Sequence, residues 1–254
     1  MKDWNSNQYI KFEKERTQPS VDLIGRIGIS PQTVLDIGCG PGNSTNRLCE
    51  RFPSADIIGI DSSDNMLEKA KSSYPFLKFR KCLIPDELDS LGKFDLIFSN
   101  ACLHWIPDHA SLLPKLTEKL NHGGMLAVQM PLVQNAEFYI QLNRLIAEDK
   151  WIKLRDIHNF HNLSPAETYD ILSGVSKEVT MWETTYYHTV PSHGSVIEWY
   201  KGSGLRPYLD ALGEAEQAEF LGELSEMVKN RFPIQADNSV ILKMPRLFFT
   251  AVKE

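Results

Sequence analysis

The sequence predicts an α/β protein in which a mostly parallel sheet is covered on both faces by helices. Three observations lead there. Short apolar runs, rich in β-branched and aromatic residues and bounded by turn signals, recur through residues 31–131. Helix-forming stretches separate them, which is the alternation that parallel strands require for their crossovers. The first run also passes straight into a glycine-rich turn, "VLDIGCGPGNST" from Val34 to Thr45.

The elements come in order. "TVLDIG" (33–38) reads as the first strand, and "NSTNRLCERF" as the helix opened by the glycine turn. "DIIGID" (56–61) is the second strand, and "SSDNMLEKAKSSY" begins with serines suited to cap a helix. "FLKFRKC" (76–82) and "FDLIFSN" (94–100) are the third and fourth strands. "DHASLLPKLTEKL" is helical, with "NHGG" read as its stop signal, before a fifth strand "GMLAVQMP" (124–131). Beyond Pro131 the rhythm changes. Residues 132–176 and 191–238 read as helical, while 178–190 and 239–252 alternate as strands. The organisation expected is one domain over 1–254. It comprises an N-terminal segment (1–30), a sheet core (31–131), two helical insertions (132–176 and 191–238) over the sheet's C-terminal edge, and a closing strand pair (177–190 and 239–254).

Composition excludes several functions. A formal charge of −6 argues against bulk nucleic-acid binding, which rests on a basic face. It leaves room for a small anionic substrate, which needs only a local positive pocket. The four cysteines, Cys39, Cys49, Cys82 and Cys102, make no CxxC pair, and no Cys/His set has zinc spacing, so no metal is expected. The polar start "MKDWNSNQYIKFEKER" does not read as a signal peptide, and the expected location is cytoplasmic. No apolar run approaches the roughly 20 residues of a membrane helix.

The acid in the glycine turn is more informative than the glycines. Gly38, Gly40 and Gly42 let a ligand approach the backbone closely. Many such turns hold phosphates, but Asp36, two residues before the first glycine, would repel one. Asp61 ends the second strand, where a carboxylate can accept hydrogen bonds from a ribose diol. A ligand with a ribose and no pyrophosphate fits, and S-adenosylmethionine is such a ligand; its ammonium group suits a carboxylate near the turn. The competing readings are a turn with no ligand, and a dinucleotide site, which Asp36 and the G-x-G-x-G spacing disfavour.

"VLDIGCGPGNST", "GIDSSDNMLEKA" and "FDLIFSNACLHWIPD" resemble successive motifs of class I S-adenosylmethionine-dependent methyltransferases. The resemblance implies a Rossmann-like, seven-stranded, mostly parallel sheet whose last two strands pair antiparallel. It implies Asp36, Gly38, Gly40 and Gly42 as the cofactor loop and Asp61 as the ribose acid. It also implies Ser62 and Met66 beside the adenosine and Asn100 beside the methionine moiety. The stretch after the third strand departs from the family. Many members carry an acid there that bonds the adenine amino group, and Leu83 stands in its place. Either backbone near Leu83 and Ile84 holds the base, or Asp86 reaches back.

"DWNSNQYIKFEKER", "NACLHWIPDH", "TTYYHTVPSHGSVIEWYKGSGLRPYL" and "MPRLFFTAVK" further resemble the branch of that family that methylates trans-aconitate. That resemblance spans nearly the whole chain and is weakest over 132–165. It implies a carboxylate of trans-aconitate, or of a related small polycarboxylate, as acceptor. A carboxylate is already ionised at neutral pH, so no general base is required; cation and hydroxyl donors are. Residues 186–208 supply Tyr187, His188, His193, Arg206 and Tyr208 with one acid, Glu198. Arg206, whose planar fork matches a carboxylate, is the first anchor expected, with Arg246 as another. His104 and Trp105 follow the fourth strand; Trp105 is a candidate wall beside the methyl group, and His104 a candidate contact, or a base if the acceptor were a hydroxyl or amine. Trp4, Tyr9, Phe12 and Arg16 are candidates for a lid. The alternatives are methylation of another small acid, such as a malonyl thioester or isopropylmalate, and a non-catalytic cofactor-binding module.

Overall fold

The computed structural model describes residues 13–157 and 160–254. Trp4, Tyr9 and Phe12 of the expected lid, and the side chain of Arg16, lie outside the described residues. Seven strands form one sheet: β1 (Thr33–Ile37), β2 (Asp56–Asp61), β3 (Lys78–Lys81), β4 (Phe94–Asn100), β5 (Leu120–Pro131), β6 (Glu178–Val190) and β7 (Val240–Val252). Their order is β3-β2-β1-β4-β5-β7-β6. The pairs β1–β2, β1–β4, β2–β3 and β4–β5 are parallel. Gly123 N–H donates to Lys253 O and Lys253 N–H to Gly124 O, while Leu132 N–H donates to Pro245 O, so β7 runs antiparallel to β5. Lys177 bonds Val252 and Trp182 stacks on Phe248, which makes β6 and β7 an antiparallel pair. This is the mostly parallel sheet expected.

The central strands form where predicted because both their faces are covered. Val34, Leu35 and Ile37 of β1, Leu96, Ile97 and Phe98 of β4, and Leu126, Ala127 and Val128 of β5 are buried, giving the continuous apolar runs of a two-sided parallel sheet. One expectation needs correction. "NHGG" does not stop a helix, because the preceding helix ends at Glu118 with Lys119 as its cap. The motif lies inside β5, at a register shift opposite Phe94 and Leu96. Gly123 takes φ +70° there, and a Cβ on Gly124 would meet the Asp95 carbonyl at 3.0 Å.

Nine α-helices are described: α1 (Glu13–Ile24), α2 (Asn43–Arg51), α3 (Asp64–Ser73), α4 (His109–Glu118), α5 (Glu137–Ile146), α6 (Pro165–Ser173), α7 (His193–Lys201), α8 (Arg206–Asp210) and α9 (Glu214–Arg231). Ser63 caps α3, its hydroxyl accepting from Met66 N–H at 3.2 Å, as the serine pair suggested. The chain divides into two compact units. One comprises residues 1–130, 161–183 and 247–254; the other comprises 131–160 and 184–246. The boundary falls within the first helical insertion, and α6 belongs with the larger unit, where it packs on α4. In the other unit α9 packs on α5 and α7. Trp151 is buried there against Phe220, and its indole N–H donates to Glu223 at 2.7 Å. No described helix is long and apolar enough to cross a membrane.

Candidate active site

The sheet order reverses between β1 and β4, and ligands of open parallel sheets bind at that point, outside the carboxyl ends of the strands. A cavity of about 440 Å³ lies there. Its wall is built from the carboxyl ends of four strands and the turns that leave them. Gly38 and Gly40 come after β1, Asp61 and Ser62 at the end of β2, Cys82, Leu83 and Ile84 after β3, and Asn100, Ala101 and Cys102 at the end of β4. Met66 of α3 and the turn Trp105–Pro107 complete it.

The loop after β1 needs its glycines for two reasons. Gly38 and Gly40 take φ +71° and +53°, a region costly for other residues. A Cβ on Gly38 would run into the Cys102 side chain, whereas Gly40 has open space where a Cβ would stand. The backbone is thus bare toward the cavity at Gly40. Asp61 holds this loop: its Oδ2 accepts from Gly40 N–H and its Oδ1 from Ser63 N–H, both at 2.9 Å. A carboxylate oxygen has two acceptor sites, so these two bonds do not by themselves exclude a ligand hydroxyl. Asn100 presents a second acceptor. Its Oδ1 is buried and has no hydrogen-bond partner among the described residues. A buried carbonyl oxygen without a donor is costly, and a ligand ammonium would supply one.

Asp36 and Gly42 differ from expectation. Neither belongs to the cavity wall. Asp36 is wholly buried beneath the loop, where its Oδ2 accepts from Ser44 and Thr45 hydroxyls at 2.7 Å each. It therefore fastens β1 to the first turn of α2, and Ser44 and Thr45 of the motif are its partners. Burial raises its carboxyl from the ordinary 3.8 to about 6; the Ser44 and Thr45 bonds oppose that rise, and the Asp61 charge adds to it. Gly42, at φ +93°, starts α2 with Tyr74 and Phe79 packed where a Cβ would lie.

The structure leaves fewer groups for the adenine. Leu83 and Ile84 are in the wall, but Leu83 N–H already donates to Glu87 Oε2 at 2.6 Å. Asp86 is exposed and outside the wall. Cys82 and Cys102, which sequence reasoning passed over, line the cavity as thiols: burial pushes both up, Cys102 well above the ordinary range. Ala101, Ile106 and Pro107 were missed as well. Their signal was position alone, because each follows directly on a strand end or its turn.

The expected substrate residues divide. Trp105 is in the wall, its ring 5.0 Å from that of His104. His104 is not; it is buried, and its carbonyl accepts His161 N–H at 2.9 Å. In the second unit, Tyr187 is 65% exposed on β6. His188 stacks on Trp199, with ring centroids 5.3 Å apart. Arg206 opens α8, its Nε 3.7 Å from Asp210 Oδ2, so it has an acid one turn away, just beyond the 186–208 stretch. Arg246 is half-buried on β7, with Nη2 3.8 Å from Met244 Sδ. Two further expected donors have carbonyl partners within the fold. His193 Nε2 bonds Phe232 O at 2.7 Å, tying α7 to the end of α9, and the Tyr208 hydroxyl donates to Ile157 O at 3.4 Å.

A reversing parallel sheet with an acid, Asp61, at the end of its second strand, a bare glycine loop and a buried Asn100 oxygen at its carboxyl edge is the arrangement of a class I, S-adenosylmethionine-dependent methyltransferase. Comparison with known proteins agrees: residues 30–153 match a family described as a methyltransferase domain. Trans-aconitate 2-methyltransferase of Escherichia coli strain K12 / DH10B is 40% identical over 99% of this chain and 98% of its own. That of Shigella flexneri is also 40% identical, with the same coverage. The chain belongs to the trans-aconitate 2-methyltransferase family. Among solved structures, the YcgJ protein of Bacillus subtilis superimposes with a TM-score of 0.60 at 16% identity, covering 93% of this chain and 99% of that one. A Haemonchus contortus phosphoethanolamine N-methyltransferase bound to S-adenosylhomocysteine gives 0.56 at 18%, covering 93% and 53%. These two likenesses concern the fold.

Proposed function

We propose that this enzyme transfers the methyl group of S-adenosylmethionine to a carboxylate of trans-aconitate, or of a closely related small polycarboxylate, forming a methyl ester. The observation that carries the reading is the chemistry of the cavity wall. Among the described residues its ionisable members are Asp61, Cys82 and Cys102. Asp61 is engaged by two backbone N–H groups, and both thiols are raised, so none of the three is suited to take a proton from an acceptor. His104, the base the sequence offered, is outside the wall. An alcohol or amine acceptor would need such a base, whereas a carboxylate arrives ionised. The full-length relationship to trans-aconitate 2-methyltransferases supports the same choice.

The residues have separate tasks. Asp61 takes the ribose diol, and Gly38 and Gly40 admit the cofactor close to the main chain. Ser62 and Met66 flank the adenosine, with Leu83 and Ile84 as apolar walls. Asn100 Oδ1 accepts from the methionine ammonium. Asp36 and Gly42 shape the loop from beneath. The bound cofactor supplies an electrophilic methyl group on a sulfonium, and its reaction with a carboxylate consumes one charge of each sign. An apolar wall that includes Trp105 and excludes water favours that loss of charge. Arg206 anchors a substrate carboxylate, with Arg246, Tyr187 and His188 as further donors; His193 and Tyr208 keep the elements that carry them in place. Catalysis then rests on positioning. The reading places the enzyme in the cytoplasm, in keeping with its four free cysteines.

The test is methyl transfer from labelled S-adenosylmethionine to trans-aconitate, cis-aconitate, citrate, isopropylmalate and a malonyl thioester. The highest kcat/KM is expected with trans-aconitate. Transfer to none of these acids, or faster transfer to an amine or alcohol, overturns the proposal.

A further inference from the structure

Helices α7 and α8 each bury a tyrosine, and the two phenols differ. Tyr208 has a carbonyl partner in Ile157. Tyr200 is 4% exposed, yet its hydroxyl has no hydrogen-bond partner among the described residues. Its ring is fixed. Phe138 stacks on it with centroids 3.6 Å apart and planes 6° from parallel, and Tyr139 meets it edge-on at 5.3 Å. Tyr139 is itself braced by Phe160 at 5.1 Å and fits only because Gly204 is bare, since a Cβ there would meet the Tyr139 hydroxyl. The cluster thus aims one unused donor with no freedom to turn away. Burial raises the Tyr200 phenol well above its ordinary range, so it stays protonated, and the positive charge of Arg246 acts on it in the opposite sense. A buried O–H without an acceptor among the described residues, with a guanidinium charge near enough to act on it, is complementary to an anion.

We infer that Tyr200 and Arg246 form a carboxylate subsite: the Tyr200 hydroxyl and the Arg246 guanidinium together bond one carboxylate of the acceptor, and so select polycarboxylates over monoacids. This rests on the proposed polycarboxylate acceptor and names the residues that would recognise it.

Binding decides it without turnover. Trans-aconitate is titrated calorimetrically into the full-length protein saturated with S-adenosylhomocysteine, using wild type, Tyr200→Phe, Arg246→Met and the double variant. Tyr200→Phe keeps the stacked ring and removes the unpaired hydroxyl. Its Kd for trans-aconitate should rise about tenfold or more, with S-adenosylhomocysteine affinity unchanged and Tm unchanged or higher. The double variant should bind no more weakly than the sum of the single effects predicts, because both groups hold one carboxylate. A structural role for the hydroxyl would instead lower Tm. Unchanged trans-aconitate affinity in Tyr200→Phe, or weakening that only follows a lower Tm, overturns the inference. Tyr200-dependent binding without methyl transfer would refute the proposed reaction and leave the subsite standing. A wild type that binds no polycarboxylate would overturn both.

Discussion

Asp61 has two tasks that one substitution can separate. It holds the glycine loop through Gly40 N–H and Ser63 N–H, and it is the group assigned to the ribose diol. Asp61→Ala removes both. The carboxylate is half-exposed, so each hydrogen bond is taken at the low end for a charged acceptor. Two ribose bonds at about 1.5 kcal/mol each amount to about 3 kcal/mol, or roughly 150-fold in Kd for S-adenosylhomocysteine. The two backbone bonds, at the same value of about 1.5 kcal/mol each, should lower Tm by roughly 6–12 °C in a chain of this size. Asp61→Asn keeps an acceptor oxygen and should lose about tenfold in affinity. Calorimetric titration and thermal unfolding on the same samples provide both readings. If Asp61→Ala lowers Tm but binds S-adenosylhomocysteine like wild type, Asp61 is only a loop anchor and the cofactor assignment fails.

Other consequences are equally open to measurement. Asp36 has its folded pKa raised from 3.8 to about 6, so the folded state holds its proton more tightly. Stability should therefore fall as pH rises from about 4 to 6 and change no further above that, by at most about 3 kcal/mol from this group. Urea unfolding across that range should show a steeper loss in wild type than in Asp36→Asn; equal slopes would contradict the buried-charge account. Gly40→Ala should fold, at a backbone cost of about 1–2 kcal/mol, and bind the cofactor weakly, because its methyl group enters open space beside the cavity. Gly38→Ala, directed at Cys102, should be severely destabilised, and equal Tm values for the two variants would refute that distinction. His104→Gln should keep kcat within about tenfold, the contribution of a base being roughly 10²–10⁴. A loss above a thousandfold at unchanged Tm would restore a base-dependent acceptor.

Much of the fold was legible because the sheet is buried on both faces. β2 and β4 begin and end at the predicted residues, since apolar runs bounded by turn residues leave little choice, and so does β6, an exposed to half-buried edge strand read from its alternation. The start of β5 was not legible, because Gly123 and Gly124 serve a bulge in a strand as readily as they end a helix. In the site, Asp61, Gly38 and Gly40 were readable from position after strands, Ser62, Met66 and Asn100 through the family resemblance, and all line the cavity. Asp36 was readable as an acid in the loop, but not as the partner of Ser44 and Thr45, because spacing does not reveal which way a strand side chain faces. His193 and Tyr208 looked like donors until their carbonyl partners, Phe232 and Ile157, came from distant helices and loops. Tyr200 was missed for the converse reason: its brace comes from Phe138 and Tyr139, far earlier in the chain, and no local pattern announces it.

The proposed reaction delivers the methyl group to a carboxylate oxygen. The most direct measurement is the fate of the product formed from methyl-labelled S-adenosylmethionine and trans-aconitate when it is treated with mild base. A carboxyl methyl ester should release its label as volatile methanol and regenerate trans-aconitate. Label that stays on the acid through that treatment would show an ether, amine or carbon-bound methyl group and would contradict the account.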